Sequence, residues 1–447
     1  MLYSTRCYAH AQKLLAVKAV LCCAFLFCVQ APVCGQRYLT DFDSTAFVRD
    51  TLRPFVNRFQ NLNISGYMQP QFQVAQTKGE ASFEGGAFSE FSTNRFMLRR
   101  ARIKIDYIVP AVGHIVPKVL FTFQIDATER GVAVRDMFVR LYEPKKQAFS
   151  LTTGLFARPF GYELNLSSAY RETPERGRMS QTLMPTERDI GAMISYEMPK
   201  RPHAHALLKW DAGLFNGQGL SGTTDFDSFK DFISRLTLKP MTFSKSWAVS
   251  GGLSLLYGGW RQATKYRYSM HDVAGEKVFV ADSSESNIGN KAPRHYYGAD
   301  VQLVNYHPHG KTELRAEYWR GKQPGTALTT LNPGVLPVAP TYIRNFDGAF
   351  FYFLQNIINQ KWELMVKYDW YDPNTNVTTN DIGKAATNLS AGDIKFSTLG
   401  FGVTRYMNAN LKVLVYYDRV KNEETALPGF TKDIKDNILT CRVQVRF

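Results

Sequence analysis

Arg100, Arg102 and Lys104 stand at every second position of the stretch FMLRRARIKIDY (96–107), and Asp106 continues the series. In an extended chain a period of two puts all four on one face. Fixed cations in such a row can hand an anion from one to the next. An arginine fork adds two parallel hydrogen bonds to two oxygens of a phosphate or carboxylate. Lys118 and Arg140 fall at matching positions of the next two extended stretches. A second group lies within 158–189, where Arg158, Arg171, Arg176, Arg178 and Arg188 face Glu163, Glu172, Glu175, Glu187 and Asp189. Five cations against five carboxylates leave that stretch near neutral. The row at 100–104, with only Asp106 close in sequence, is therefore expected to carry the stronger anion site.

Other groupings are less suited to chemistry. His203 and His205, and His307 and His309, flank turns without nearby carboxylates, so no metal is expected there. Asp372-Pro373-Asn374-Thr375-Asn376 begins like a calcium loop. Val377 and Gly383 stand where that loop needs Gly and Glu, which leaves turn chemistry. His295 and His205 have no Ser partner identifiable from sequence, so catalysis is not expected. Neither is a cofactor, because no Gly-rich phosphate loop is present.

The elements that must position the cations are strands. In the final segment DNILTCRVQVRF, Leu439, Cys441, Val443, Val445 and Phe447 share one parity, and Thr440, Arg442, Gln444 and Arg446 share the other. The same alternation predicts strands at 64–74, 100–107, 118–126, 136–142, 149–156, 189–196, 206–215, 229–239, 247–257, 295–303, 313–320, 346–354, 362–370, 397–406, 411–417 and 437–447. Short connections such as 142–146 and 406–410 alternate with long polar ones: 76–94, 161–188, 261–294, 321–345, 372–395 and 420–435. About sixteen alternating strands joined in this way predict an all-β chain, a transmembrane antiparallel β-barrel. Energy assigns the faces. Arg or Lys facing lipid at mid-membrane costs about 2–4 kcal/mol each, so the parity of Arg100, Arg102 and Lys104 must face the lumen. Arg99 has the opposite parity and is expected near a membrane interface.

The ends suggest export. Arg6, Lys13 and Lys18 precede the apolar run 21–29, which is too short to span a bilayer as a helix. Residues 1–35 are expected to be a signal peptide, 36–61 a short helical periplasmic or plug-like segment, and 62–447 the barrel. Removal of 1–35 would take away five of the six cysteines and leave Cys441 as a small hydrophobe on an apolar strand face. It would also take three basic and no acidic residues. The mature charge is then (54 − 3) − 39 = +12. Export makes nucleic acid an unsuitable partner for that charge; anionic solutes and the lipopolysaccharide surface suit it better. A terminal aromatic such as Phe447 resembles the signal read by the barrel assembly machinery.

Several segments in order resemble the phosphate-selective porin family (porins O and P) of Gram-negative outer membranes. They are Phe96–Tyr107, Leu151–Glu163, Glu175–Gly177 with Pro185–Ala192, Trp210–Gly217, Lys230–Pro240, His295–Leu303 and Val366–Asn374. The resemblance implies a sixteen-stranded barrel, often trimeric, that passes small anions, with a loop near 161–188 folded into the lumen. It implies a porin for passive diffusion of small hydrophilic solutes, biased to anions such as phosphate. The alternatives are a barrel with a structural or adhesin role through its long loops, and an outer-membrane lipid hydrolase.

Overall fold

The computed structural model describes residues 60–111, 113, 116–198, 207–222 and 224–447. The expected signal peptide, nearly all of the 36–61 segment, and His203 and His205 lie outside these residues.

Among the described residues eighteen strands are present: β1 (Leu62–Ala75), β2 (Asn94–Val109), β3 (Val119–Thr128), β4 (Gly131–Tyr142), β5 (Phe149–Ala157), β6 (Arg188–Glu197), β7 (Leu208–Phe215), β8 (Asp231–Thr242), β9 (Trp247–Arg261), β10 (Arg267–Val273), β11 (Glu276–Asp282), β12 (Lys291–His307), β13 (Gly310–Gly325), β14 (Thr341–Asn356), β15 (Trp362–Asp372), β16 (Phe396–Tyr406), β17 (Leu411–Asn422) and β18 (Ile438–Arg446). Sixteen of them form the barrel. β9 pairs directly with β12, from Arg261↔Lys291 to Trp247↔Asn305. β1 closes on β18, from Tyr67↔Arg446 to Ala75↔Ile438. Every barrel pairing is antiparallel between chain neighbours apart from these two joins. Closure pairs both edges of each of the sixteen barrel strands, the condition for crossing a hydrocarbon layer.

The sixteen strands expected from alternation are these sixteen. The hairpin β10–β11 was read from sequence as polar loop. It stands outside the barrel wall, with Arg267–Ser269 of β10 paired in parallel with Thr341–Ile343 of β14. Tyr268 and Met270 pack against a cluster built on Phe279, Tyr342, Ile382 and Ile394. That cluster is assembled from distant loops, so no local pattern announces it.

Alternation sorts the side chains as expected. Outward positions such as Ile103, Ile194, Leu214, Leu253, Val301, Leu314 and Phe401 are exposed apolar residues. In water such a belt would be a liability; against lipid it is the stabilising surface. Short connections (243–246, 308–309, 407–410) gather at one end with Leu62 and Phe447, and the long ones gather at the other. The tight turn at Glu129–Arg130 is the exception among the latter.

Two bulges alter the inner wall between β1 and β4. Register slips between Gln69 and Pro70, which pair with Arg100 and Leu98 and leave Arg99 as the extra residue. It slips again between Gln124 and Ile125, which pair with Asp136 and Val134 and leave Arg135 extra. A bulge re-aims the side chain it inserts. Arg99, expected at a membrane interface on parity, instead turns its Nε to Glu175 at 2.8 Å. Arg135 likewise reaches Glu187 at 3.0 Å.

Candidate functional site

The segment between β5 and β6 folds into the lumen. Its two ends are tied where Arg158 N–H donates to the Glu187 carbonyl at 3.0 Å. Gly161, at φ +64°, makes the turn inward. A Cβ there would overlap Glu317 Oε1, so glycine is needed for both conformation and space. Beyond it, the N–H groups of Tyr162 and Glu163 donate to the Glu317 carboxylate at 3.0 and 2.9 Å. The Trp319 indole donates to the same group. Glu163 in turn accepts from Gly177 N–H, Ser180 Oγ and Tyr352 Oη. This braces the short helix α1 (Arg178–Leu183). Phe160, Leu164, Met179, Leu183 and Met184 pack on Phe156, Phe215, Trp319 and Phe346 of the wall. The inward face of that sector is apolar because the loop covers it.

The loop's acids are the other anchors. Glu172 takes both arms of Arg315 at 2.7 and 2.9 Å. Glu175 is held by Arg99, by Arg100 at 2.6 Å and by Arg442 at 3.1 Å. Burial alone would push its carboxyl up, but Arg100, Arg99 and Arg442 outweigh burial and hold it well below the usual carboxylate range. Glu187 faces Arg135, Arg176 and Arg188 at 3.0, 3.6 and 3.4 Å. Burial opposes its ionisation too, and Arg176, Arg135 and Arg188 again win.

These pairs change the expected distribution of free charge. In the wall row, Arg100 belongs to Glu175, Arg102 pairs with Asp126 at 3.0 Å and donates to Ser168, and Lys104 pairs with Asp106 at 2.8 Å. The row was expected to have only Asp106 near it. The other two carboxylates come from β3 and from the loop, beyond the reach of local inspection. Arg140 donates to Thr152 Oγ1 at 2.8 Å and lies over the Phe138 ring. Lys118 sits exposed in the turn just before β3, at the barrel's short-turn end, outside the row.

Among the loop arginines, Arg176 donates to the carbonyls of Ser180, Met184 and Pro185. Arg178 lies 3.7 Å from Asp436 and stacks over Phe396. Arg188, the first residue of β6, pairs with Asp136 at 2.9 Å. Two remain. Arg171 is 3 % exposed and donates through Nη2 to the Leu166 carbonyl at 3.2 Å, while Nε and Nη1 have no hydrogen-bond partner. Arg158 is 1 % exposed and donates through Nη2 to the Thr186 carbonyl; its Nη1 lies 4.0 Å from Asp189, and again Nε and Nη1 make no hydrogen bond. Lys412 of β17 joins Arg171 by donating to its carbonyl at 3.0 Å.

Arg315, Lys412, Arg442 and Lys367, whose Nζ pairs with Asp369 at 3.0 Å and lies 3.9 Å from Glu163, were not singled out as site residues from sequence. For Arg442 the parity of β18 held the signal, since it shares a face with the polar Thr440 and Gln444. The two bulged arginines had none. Among the described residues no group of three or more His, Cys, Asp or Glu side chains is placed to hold a metal ion. Asp372 Oδ1 accepts the Asn374 N–H, an Asx turn in place of a calcium loop.

No family model matches the sequence, and no curated protein is similar to it. Solved structures are similar in fold. OprB of Pseudomonas putida aligns at TM-score 0.54 with 11 % identity, over 87 % of this chain and 94 % of that one. The outer-membrane channel DcaP of Acinetobacter baumannii aligns at 0.52 with 13 % identity, over 86 % and 97 %. An anion-selective porin of Comamonas acidovorans aligns at 0.50 with 10 % identity, over 86 % and 99 %. The chain thus has the closed sixteen-stranded barrel fold of Gram-negative outer-membrane proteins, and its apolar belt matches that location.

Proposed function

We propose that the chain is a porin for passive diffusion of small hydrophilic solutes, with a bias toward anions, phosphate among them. The observation that carries this reading is the pair of buried arginines, Arg158 and Arg171, each with two guanidinium N–H groups left without a protein acceptor. A buried cation normally spends its donors on carboxylates or carbonyls. Donors left over in the loop that narrows the lumen place under-compensated positive charge just behind the pore surface, where it favours a passing anion through the field and lets it leave again. The wall row contributes less in this reading, because its charge is already neutralised. One of the fold neighbours is named for anion selectivity, which agrees with the reading.

The test is chloride current through the purified protein in planar bilayers while inorganic phosphate is titrated in. Block by millimolar phosphate supports an anion site in the lumen. Current that phosphate does not reduce points to a general porin. Absence of current would favour a structural or adhesin role for the long loops.

A further inference from the structure

The outer face of β9, β12 and β13 gathers four cations near its long-loop end; Arg419 and Lys421 of β17 also stand on an outward parity near that end. Three outward tyrosines, Tyr257, Tyr297 and Tyr318, are 55 %, 52 % and 40 % exposed and stand above the apolar belt of Leu253, Val301 and Leu314. Such a row marks the membrane interface. Toward the long-loop end the same face presents Arg261, Lys291, Arg320 and Lys322. The register holds them together. Arg261 is the Cα partner of Lys291, Lys322 of His295, and Arg320 of Tyr297. His295 stacks on Tyr257 with centroids 4.1 Å apart and planes 10° apart, and Lys291 Nζ lies 5.3 Å from the same ring.

Among the described residues, none of these four cations forms an ion pair; Lys291 has only ring contacts, with Tyr257 and Phe229. The acids nearest in register are otherwise engaged. Asp347, cross-strand from Arg320, accepts from Tyr318 Oη and from the Trp370 indole, each at 3.2 Å. Asp227 accepts the backbone N–H of Arg261. On β4, β6 and β7 the outward positions near the same end are instead apolar: Val134, Ile190 and Leu214. Snorkelling explains one long cation above a greasy surface. It does not explain four on three neighbouring strands, with their positive charge uncompensated by protein.

We propose that Arg261, Lys291, Arg320 and Lys322 form a docking site for the phosphorylated headgroup of an anionic lipid in the loop-side leaflet, with Tyr257, Tyr297 and Tyr318 against its acyl chains. The apolar–aromatic–cationic sequence along the barrel normal matches a lipid's own order of tail, interface and phosphate. Basic residues near a charged bilayer surface each contribute on the order of 1 kcal/mol, a roughly fivefold change in affinity.

The test uses the full-length barrel purified in a non-ionic detergent. Retention of bisphosphorylated lipid A and of its dephosphorylated form is measured by native mass spectrometry. Variants are R320Q/K322Q and, as a control on the short-turn end, K145Q/K146Q. Folding of each is checked by heat-modifiable migration. The expected result is retention of the bisphosphorylated lipid by the wild type and the control, at least tenfold weaker retention by R320Q/K322Q, and little retention of the dephosphorylated form by any. Equal retention by R320Q/K322Q would overturn the proposal. So would equal retention of both lipid forms. Displacement of the lipid by inorganic phosphate at millimolar concentration would also overturn it, by making the site one for free phosphate.

Discussion

The wall row and the inward loop carry the same residue type in opposite states. Arg100 and Arg102 on β2 are clamped by Glu175 and Asp126, whereas Arg158 and Arg171 at the root and in the body of the loop keep two unpartnered donors each. Counted along the chain the expectation is the reverse. The loop has five acids for its five arginines, and the row has one acid close by. The loop's acids are spent on the wall instead: Glu172 on Arg315, and Glu175 on Arg99, Arg100 and Arg442. That exchange fixes the loop across the lumen and leaves Arg171 without an ion pair among the described residues, while Arg158 keeps one long contact with Asp189. Local charge balance therefore says little about which cations a solute meets.

Removing the clamp should have the largest effect. Glu175→Gln leaves the buried guanidinium groups of Arg100 and Arg442, and the partly exposed one of Arg99, facing a neutral amide, and breaking a buried pair costs about 3–5 kcal/mol. The heat-modified gel shift should move to lower temperature. Anion preference should rise, because Arg99, Arg100 and Arg442 join the lumen's free charge. Unchanged melting would show that the clamp does not hold the loop.

Gly161→Ala attacks the same arrangement at its entrance. It combines a left-handed φ with a Cβ pressed against Glu317, and a cost of about 1–3 kcal/mol is expected. The loop should loosen, seen as larger and noisier single-channel conductance; conductance like that of the wild type would contradict this.

Two double variants separate the regions. Arg158→Gln with Arg171→Gln should lower the chloride-to-potassium permeability ratio severalfold at nearly unchanged melting temperature. Arg102→Gln with Lys104→Gln should do the opposite and lower the melting temperature while changing the permeability ratio little. The same shift in both would erase the distinction.

The smallest expected effect is that of mild acid. Glu175 and Glu187 have carboxyls held below the usual glutamate value of about 4.3. A depressed folded-state value gives stability that is fully present above the ordinary value and is lost only as pH falls through the lower, folded one. Conductance and melting temperature should stay flat from neutral pH down to about 5 and change only in stronger acid. A transition near pH 6 would mean that the loop is held by other groups.

Much of the barrel was legible because each strand is written for two solvents at once. The pattern Ile103 out, Arg102 and Lys104 in, repeated with local variation around the wall, needs no long-range information. The bulges at Arg99 and Arg135 were not legible, since an extra residue in one strand leaves no mark in its own alternation. Hairpin β10–β11 was missed because its apolar side chains are covered by residues from 382–396 and 427–430. The site was half legible. Arg158 and Arg171 were candidates from their place in the chain, but which of their donors stay without a partner depends on which carboxylate reaches which strand across the lumen.

The central claim is that Arg158 and Arg171, and not the wall row, bias the pore toward anions. The most direct test is the zero-current potential of the reconstituted channel in a tenfold potassium chloride gradient. The predicted result is an anion-side potential for the wild type that collapses toward zero in Arg158→Gln/Arg171→Gln and persists in Arg102→Gln/Lys104→Gln. A cation-side potential in the wild type, or its loss only when the wall row is neutralised, would contradict the account.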